Sequence, residues 1–196
     1  MTTNKSSTRG RPRRFDPDAA VAVAERLFHA RGYDAVSVSD LTDALGINPP
    51  SFYAAFGSKA GLYARVLDHW AGTGAIPFDQ ILREDVPVSD ALAALLEEAA
   101  RRYAADPGAT GCLVIEGTRC NDAKAREAAC ALNRAAEDRI RDYIAARHPE
   151  SAASVADYVS TTMSGLSAKA RNGHDLPRLL ATARLAGGTL AQALAA

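Results

Sequence analysis

The side chains able to do covalent or metal chemistry are few, and their spacing argues against it. Cys112, Cys120 and Cys130 stand eight and ten residues apart, with no Cys-x-x-Cys pair, and His29, His69, His148 and His174 are scattered. Zinc sites need ligands in close, paired spacing, so this is a poor metal signature. Two readings of the cysteines stand side by side. They are reduced, mostly buried thiols, or an exposed thiolate acts as a redox or electrophile sensor that changes the shape of the protein. Cys112 and Cys120 are the better candidates for the second, because they flank a short segment expected to be helical. Glu97, Glu98 and Glu116 have nothing in the sequence to pair them for acid–base work. No Gly-x-Ser-x-Gly elbow, phosphate-binding loop or dinucleotide fingerprint occurs. The chain is therefore expected not to be an enzyme and to carry no cofactor or metal.

Hydrogen bonding and charge remain, and they cluster near the amino terminus. Residues 1–15 hold Lys5, Arg9, Arg11, Arg13 and Arg14 with no acid, although the whole chain has a formal net charge of zero. A short basic arm suits phosphate contact, because positive charge is needed only where a duplex lies. Taken alone it reads equally as a solubilising tail. Downstream, Asn48, Ser51 and Ala54 are candidates for base-edge contact, and Lys59 and Tyr53 for phosphate. Tyr53 has burial as its alternative. Pro49 and Pro50 either touch a thymine methyl or stiffen the turn. Phe52 and Phe56, four residues apart, read better as core.

The elements that must hold these groups are two short helices and a turn over 38–56. Val38, Leu41 and Leu45 share one helical face. Ser37 is a candidate N-cap with Asp40 three residues on, close to a capping box. Gly46 ends the first helix, and a second covers about 51–56. Two helices joined by a few residues, the first closed by glycine, form a helix-turn-helix, whose second helix enters the DNA major groove. A helix from about Pro17 to Ala30 precedes them, capped by Asp16, with Ala20, Val23, Ala24, Leu27 and Phe28 as its buried stripe and Phe15 as a staple. A fourth begins near Ser58 and carries Leu62, Tyr63, Val66, Leu67 and Trp70.

The remainder is alanine-rich and expected to be helical throughout. Residues 72–87 read as a linker or as the frayed end of the fourth helix plus a turn. A helix is predicted over 88–105, with Leu92, Leu95, Leu96, Ala99 and Tyr103 inward. Cys112–Ile115 fits a short strand or, better in this setting, a short helix. Longer helices follow over about 123–146, 152–171 and the carboxy-terminal segment, broken at Pro149 and Gly173. Ala156, Ser160, Ser164, Gly165 and Ala168 in one of the last two helices, and Ala183, Ala186, Gly187 and Gly188 in the other, permit close packing, either within the core or across a two-fold interface. Apolar residues make up 47% and charged residues 23% of the chain, enough for a real core. No apolar run reaches membrane-spanning length and no signal core follows the basic start, so a cytoplasmic protein is expected.

At FDPDAAVAVAERLFHARGYDAVSVSDLTDALGI and SFYAAFGSKAGLYARVL the chain resembles the amino-terminal domain of the TetR/AcrR family of bacterial transcriptional regulators. The resemblance implies an all-α protein with a basic arm (1–14), a helix-turn-helix unit (15–60) and a larger ligand-binding and dimerisation unit (61–196). It implies a homodimer through the last two helices, bound to double-stranded, palindromic operator DNA and released by a small-molecule effector. In the family, tyrosine and lysine at the positions of Tyr53 and Lys59 typically touch the phosphate backbone. A Gly-Cys-Leu sequence, here Gly111-Cys112-Leu113, often opens a short helix beside the ligand cavity. The DNA-contact set expected is Arg11, Arg13, Arg14, Ser37, Asn48, Pro49, Pro50, Ser51, Tyr53, Ala54 and Lys59. The cavity set is Leu96, Tyr103, Cys112 and Cys120. Pro49-Pro50 replaces the small flexible or basic residue usual there, so no operator sequence carries over. The competing readings are a cysteine-based redox regulator and a helical ligand-binding protein that does not read DNA.

Overall fold

A computed structural model describes residues 16–195, so Arg11, Arg13, Arg14 and the Phe15 staple lie outside the described residues. Among the described residues there are ten helices and no strand. They are α1 (Pro17–Arg31), α2 (Val38–Leu45), α3 (Pro49–Phe56), α4 (Lys59–Thr73), α5 (Phe78–Ile81), α6 (Val88–Tyr103), α7 (Leu113–Gly117), α8 (Ala123–Ala145), α9 (Ala152–Arg171) and α10 (Leu176–Ala195). None is long and apolar enough to cross a membrane.

Two apolar clusters organise the chain. The first joins α1–α4 around Phe28, whose ring centroid lies 5.6 Å from Tyr33 and 5.0 Å from Tyr63. It also takes in Leu113 of α7, Cys120, and Ala125 and Ala129 of α8. Three short helices cannot close a core by themselves, and this head completes its own with the start of α8. Gly117 makes that approach possible, because a Cβ there would lie 2.3 Å from the Tyr63 hydroxyl oxygen and 2.8 Å from the Ala129 Cβ. The second cluster joins α6, α8, α9 and α10 through residues such as Leu92, Leu96, Ile140, Val159 and Leu190.

Three local features differ from the sequence reading. Helix α3 starts at Pro49 rather than near Ser51, with Asn48 as N-cap and the prolines in its first two positions. The first turn of a helix has no use for those N–H groups, so both prolines fit. The expected linker over 72–87 contains α5, whose apolar residues Phe78 and Ile81 pack on the second core. Four residues show less than two turns, too few for periodicity to register. Helix α1 buries Ala20, Ala24 and Phe28 of the expected stripe, but Val23 and Leu27 are only half-buried, and Val21 and His29 are buried instead, His29 against a loop beyond the head.

The small residues of α9 and α10 divide between two tasks. Ala156, Ala183, Ala186 and Gly187 are buried within the chain. A Cβ on Gly187 would lie 2.9 Å from that of Ala93, so this glycine lets α10 close on α6. Ser164, Gly165 and Gly188 stay exposed, beside Tyr158 and Leu185, which are 38% and 76% exposed.

Candidate nucleic-acid interface and effector cavity

The helix-turn-helix is held by caps. Ser37 Oγ accepts the Asp40 N–H at 3.0 Å while Asp40 Oδ2 accepts the Ser37 N–H at 2.7 Å. The Ser37 hydroxyl and backbone bonds, with Arg31 at 3.1 Å, hold the Asp40 carboxyl at about 2. Gly46 turns the chain in the left-handed region at φ 64°, which glycine adopts without a Cβ penalty. Asn48 Oδ1 then accepts the Ser51 N–H at 2.9 Å. Ser37 and Asn48, read from sequence as DNA contacts, thus have capping roles in the chain itself.

Helix α3 is anchored on one side and bare on the other. Phe52 and Phe56 are buried with ring centroids 5.4 Å apart. Tyr53, 51% exposed, stands outward beside Pro49, Pro50, Ser51 and Ala54, all exposed. The alternative of a buried Tyr53 is thereby excluded. Lys59 differs from expectation: its ammonium donates to the carbonyls of Tyr33 at 3.0 Å and Val36 at 2.9 Å and lies 4.0 Å from the centre of the Tyr33 ring. Two of its three donors tie α4 to the α1–α2 turn, leaving one for an outside acceptor.

Two polar junctions tie this head to the second unit. In the first, Tyr33 donates its hydroxyl to Asp122 Oδ2 at 2.8 Å, and Asp34 accepts both the backbone and side-chain N–H of Asn121. Asp122 also caps α8 by accepting the N–H groups of Lys124 and Ala125. Asp122→Ala should therefore cost about 1–2 kcal/mol as a lost cap. Amides of 32–37 should also lose protection in hydrogen exchange, whereas Asp122→Asn, which keeps an acceptor, should approach wild type. Unchanged protection in Asp122→Ala would show that the head does not depend on this bond.

In the second junction, the His29 ring donates Nε2–H to the Gly111 carbonyl at 3.0 Å, and Arg171 donates to the His29 carbonyl at 3.2 Å. Gly111 is at φ 79°, and a Cβ there would meet Arg171 and Ser167 at 3.0 Å. Burial pushes the His29 pKa below its ordinary 6.5; the Gly111 carbonyl opposes this, Arg171 adds to it, and Glu25 and Asp106 oppose it weakly. The folded chain therefore binds this proton less readily than the unfolded chain does. The resulting stability is complete above about 6.5 and is lost as pH falls through that value towards the lower folded pKa. His29→Gln, which keeps a donor for Gly111, should flatten the fall in melting temperature between about pH 7 and pH 5. An equally steep fall in the variant would place the pH dependence elsewhere.

Behind Trp70 lies a cavity of about 300 Å³ bounded by α4–α9, with Trp70, Phe78, Tyr103, Cys112, Ile115, Leu132, Ala136 and Met163 in its wall. Tyr103 and Cys112 line it as expected. Leu96 does not, because it is fully buried in the second core, and Cys120 does not, because it packs into the head core with its thiol towards the Asp122 carbonyl at 3.6 Å. Burial pushes the Cys112 and Cys120 thiols up by more than the backbone bonds and Arg171 at Cys112, or Arg126 at Cys120, pull them down, so both are protonated at neutral pH. A protonated thiol is a poor nucleophile, which weighs against the redox reading at these two positions. Among the described residues no cluster of three or more His, Cys, Asp or Glu is placed to hold a metal.

The junction residues Tyr33, Asp34, His29, Gly111, Asn121, Asp122 and Arg171 escape sequence reasoning. Their partners lie as far as 142 positions apart, and no local pattern records which of them pair.

Residues 20–66 match the family model for bacterial regulatory proteins of the tetR family. The chain is 56% identical over 187 residues to the HTH-type transcriptional repressor BdcR of Escherichia coli (strain K12), covering 95% of each chain. It is 31% identical over 200 residues to the HTH-type transcriptional repressor ComR of the same strain, covering 93% of this chain and 91% of that one. Among solved structures, a cysteine mutant of the TetR family transcriptional regulator CifR, complexed with 26-base-pair operator DNA, superposes with a TM-score of 0.78. It is 33% identical, covering 90% of this chain and 98% of that one.

Proposed function

The chain belongs to the TetR family of bacterial regulatory proteins, and from that premise we propose that it represses transcription as a homodimer that leaves its operator when a small molecule fills the cavity. Members of this family are DNA-binding transcriptional regulators and not enzymes. The observation that carries the reading is the two-sided α3: Phe52 and Phe56 lock one face into the core while Tyr53, Ser51 and Ala54 are presented on the other. A rigid helix with a bare polar face is what major-groove reading requires.

The parts follow. Ser51, Ala54, Pro49, Pro50 and the free amide end of Asn48 would meet base edges. Tyr53 and the remaining Lys59 donor would meet phosphate, with Ser37 at the groove margin and Arg11, Arg13 and Arg14 reaching a neighbouring groove or phosphate. We take 15–60 as the DNA-reading unit, 1–14 as its basic arm and 61–196 as the ligand-binding and dimerisation unit. The exposed face of α9 and α10, with Tyr158, Gly165, Leu185 and Gly188, would meet its copy across a two-fold axis. Effector binding would favour a dimer whose heads no longer match two half-sites. The protein acts in the cytoplasm, where operator DNA lies.

Selection of random duplex DNA by the purified protein, read by sequencing, tests this. A two-fold symmetric motif with fixed half-site spacing is expected, with affinity falling steeply as salt rises. Absence of enrichment in folded, dimeric protein at low salt would reject it in favour of a ligand-binding protein that does not read DNA.

A further inference from the structure

The cavity wall carries an uneven charge. Arg102 and Arg139 line it, and no Asp or Glu does. The remaining polar lining groups stay uncharged: burial holds the Tyr103 phenol and the Cys112 thiol protonated, and Asn133 is an amide. Each arginine has a carboxylate partner outside this wall. Arg102 Nε donates to Glu98 at 2.7 Å and Nη1 to the Gly74 carbonyl at 3.2 Å, and among the described residues no acceptor engages Nη2. Arg139, 46% exposed, pairs with Asp79, 88% exposed, so water screens this pair. Its guanidinium carbon also lies 5.5 Å from the centre of the Phe78 ring, itself in the wall. A third guanidinium stands behind the wall, where Arg171 packs against Gly111 with its buried Nε 3.5 Å from Glu116 Oε1.

The acids near this region stand outside the wall: Glu98 and Asp79 pair with Arg102 and Arg139, and Glu116 of α7 lies 3.5 Å from Arg171. Glu25 and Asp106 border a second cleft of about 270 Å³ that shares Trp70, Gly74 and Arg102 with the cavity. Trp70 thus stands between an acid-free apolar chamber and a mixed-charge cleft against α1. An apolar space with guanidinium donors and no anion in its own wall favours an apolar body that ends in one anionic, planar acceptor. More than one charge would add desolvation cost against walls of Trp, Phe, Ile, Leu and Met.

The geometry points to an apolar organic monocarboxylate as the ligand of this cavity, its carboxylate at Arg102 and Arg139 and its body against Trp70 and Phe78. This rests on the cavity being the effector site, and it names the class of effector.

Trp70, the sole tryptophan of the chain, is a built-in reporter. The full-length protein would be titrated with 4-phenylbutanoate, its neutral isostere 4-phenylbutanamide and the cationic 4-phenylbutylamine, following Trp70 emission. The carboxylate should bind at least roughly tenfold more tightly than the amide, and the amine most weakly. Arg102→Gln and Arg139→Gln should bring that ratio towards one by weakening the carboxylate far more than the amide, with helix content and melting temperature measured alongside to separate this from misfolding. Equal binding of carboxylate and amide, a preference that survives both substitutions, or no response to any of the three would overturn the assignment. Operator occupancy is measured in parallel. Selective carboxylate binding without DNA release would leave the ligand class standing and reject the effector role. Equal binding of carboxylate and amide with release by both would do the reverse.

Discussion

Phe28→Ala is expected to destabilise the chain by about 3–5 kcal/mol, the usual cost of emptying a large aromatic site in a core. Phe28 is fully buried and sits against both Tyr33 and Tyr63, in the cluster that α1–α4 share with α7 and α8. No neighbour can refill the space cheaply, because Tyr33 and Tyr63 are tied by their hydroxyls to Asp122 and the Leu113 carbonyl. The melting temperature should fall by roughly 10 °C, and operator binding should vanish at temperatures where most helix remains, because the damage is centred on the head. Leu96→Ala is the control. It empties a fully buried site in the other core at a comparable cost of about 2–5 kcal/mol, and it should spare operator binding below its own melt. Equal loss of DNA binding in the two variants would mean that the cores fail together and that the head has no stability of its own to lose.

Leu185→Glu should turn the dimer into a monomer and weaken operator binding on the order of 100-fold or more, since the second half-site then no longer benefits from being tethered to the first. Leu185 is 76% exposed in one chain, a large apolar side chain with nothing of its own chain over it. A glutamate there would have to be buried beside the partner's small-residue face, and an unpaired charge in such a place is strongly unfavourable. Sedimentation or light scattering, with operator titrations, reads both effects. Intrachain packing should hardly notice the change, so the melt of the monomer would report only the lost association. A Leu185→Glu protein that stays dimeric with full affinity would move the interface off this face of α10.

Much of the architecture is local and was legible. Asp16, Ser37 and Ser58 cap α1, α2 and α4 through bonds spanning two or three residues. Gly46 and Gly173 lie at positive φ where the chain reverses. The periodic stripes of α4 and α6 pack where their spacing puts them. The outward face of α3 follows from the same arithmetic, since burying Phe52 and Phe56 puts Ala54 opposite them, whereas Tyr53, at the flank roughly 80° from that pair, is left open by the spacing and is exposed in the structure. Even the small residues of α9 and α10 were visible as a pattern.

Their allocation was not visible. Gly187 serves α6 and Gly188 faces outward, though they are neighbours of one type, because only the path of α6 past α10 distinguishes them. The same holds for Leu96 and Cys120, which composition makes as plausible in a cavity wall as Leu132 and Cys112. Lys59 has its carbonyl partners 23 and 26 positions away, and His29 meets Gly111 across 82. The sequence by itself determined what depends on neighbours three or four residues apart: the helices, their caps, the helix-turn-helix and its outward face. The tertiary structure alone decided what lines the cavity, which charges stand in it and which bonds join it to the head, because those depend on where separate helices meet, and no periodicity within a helix records that.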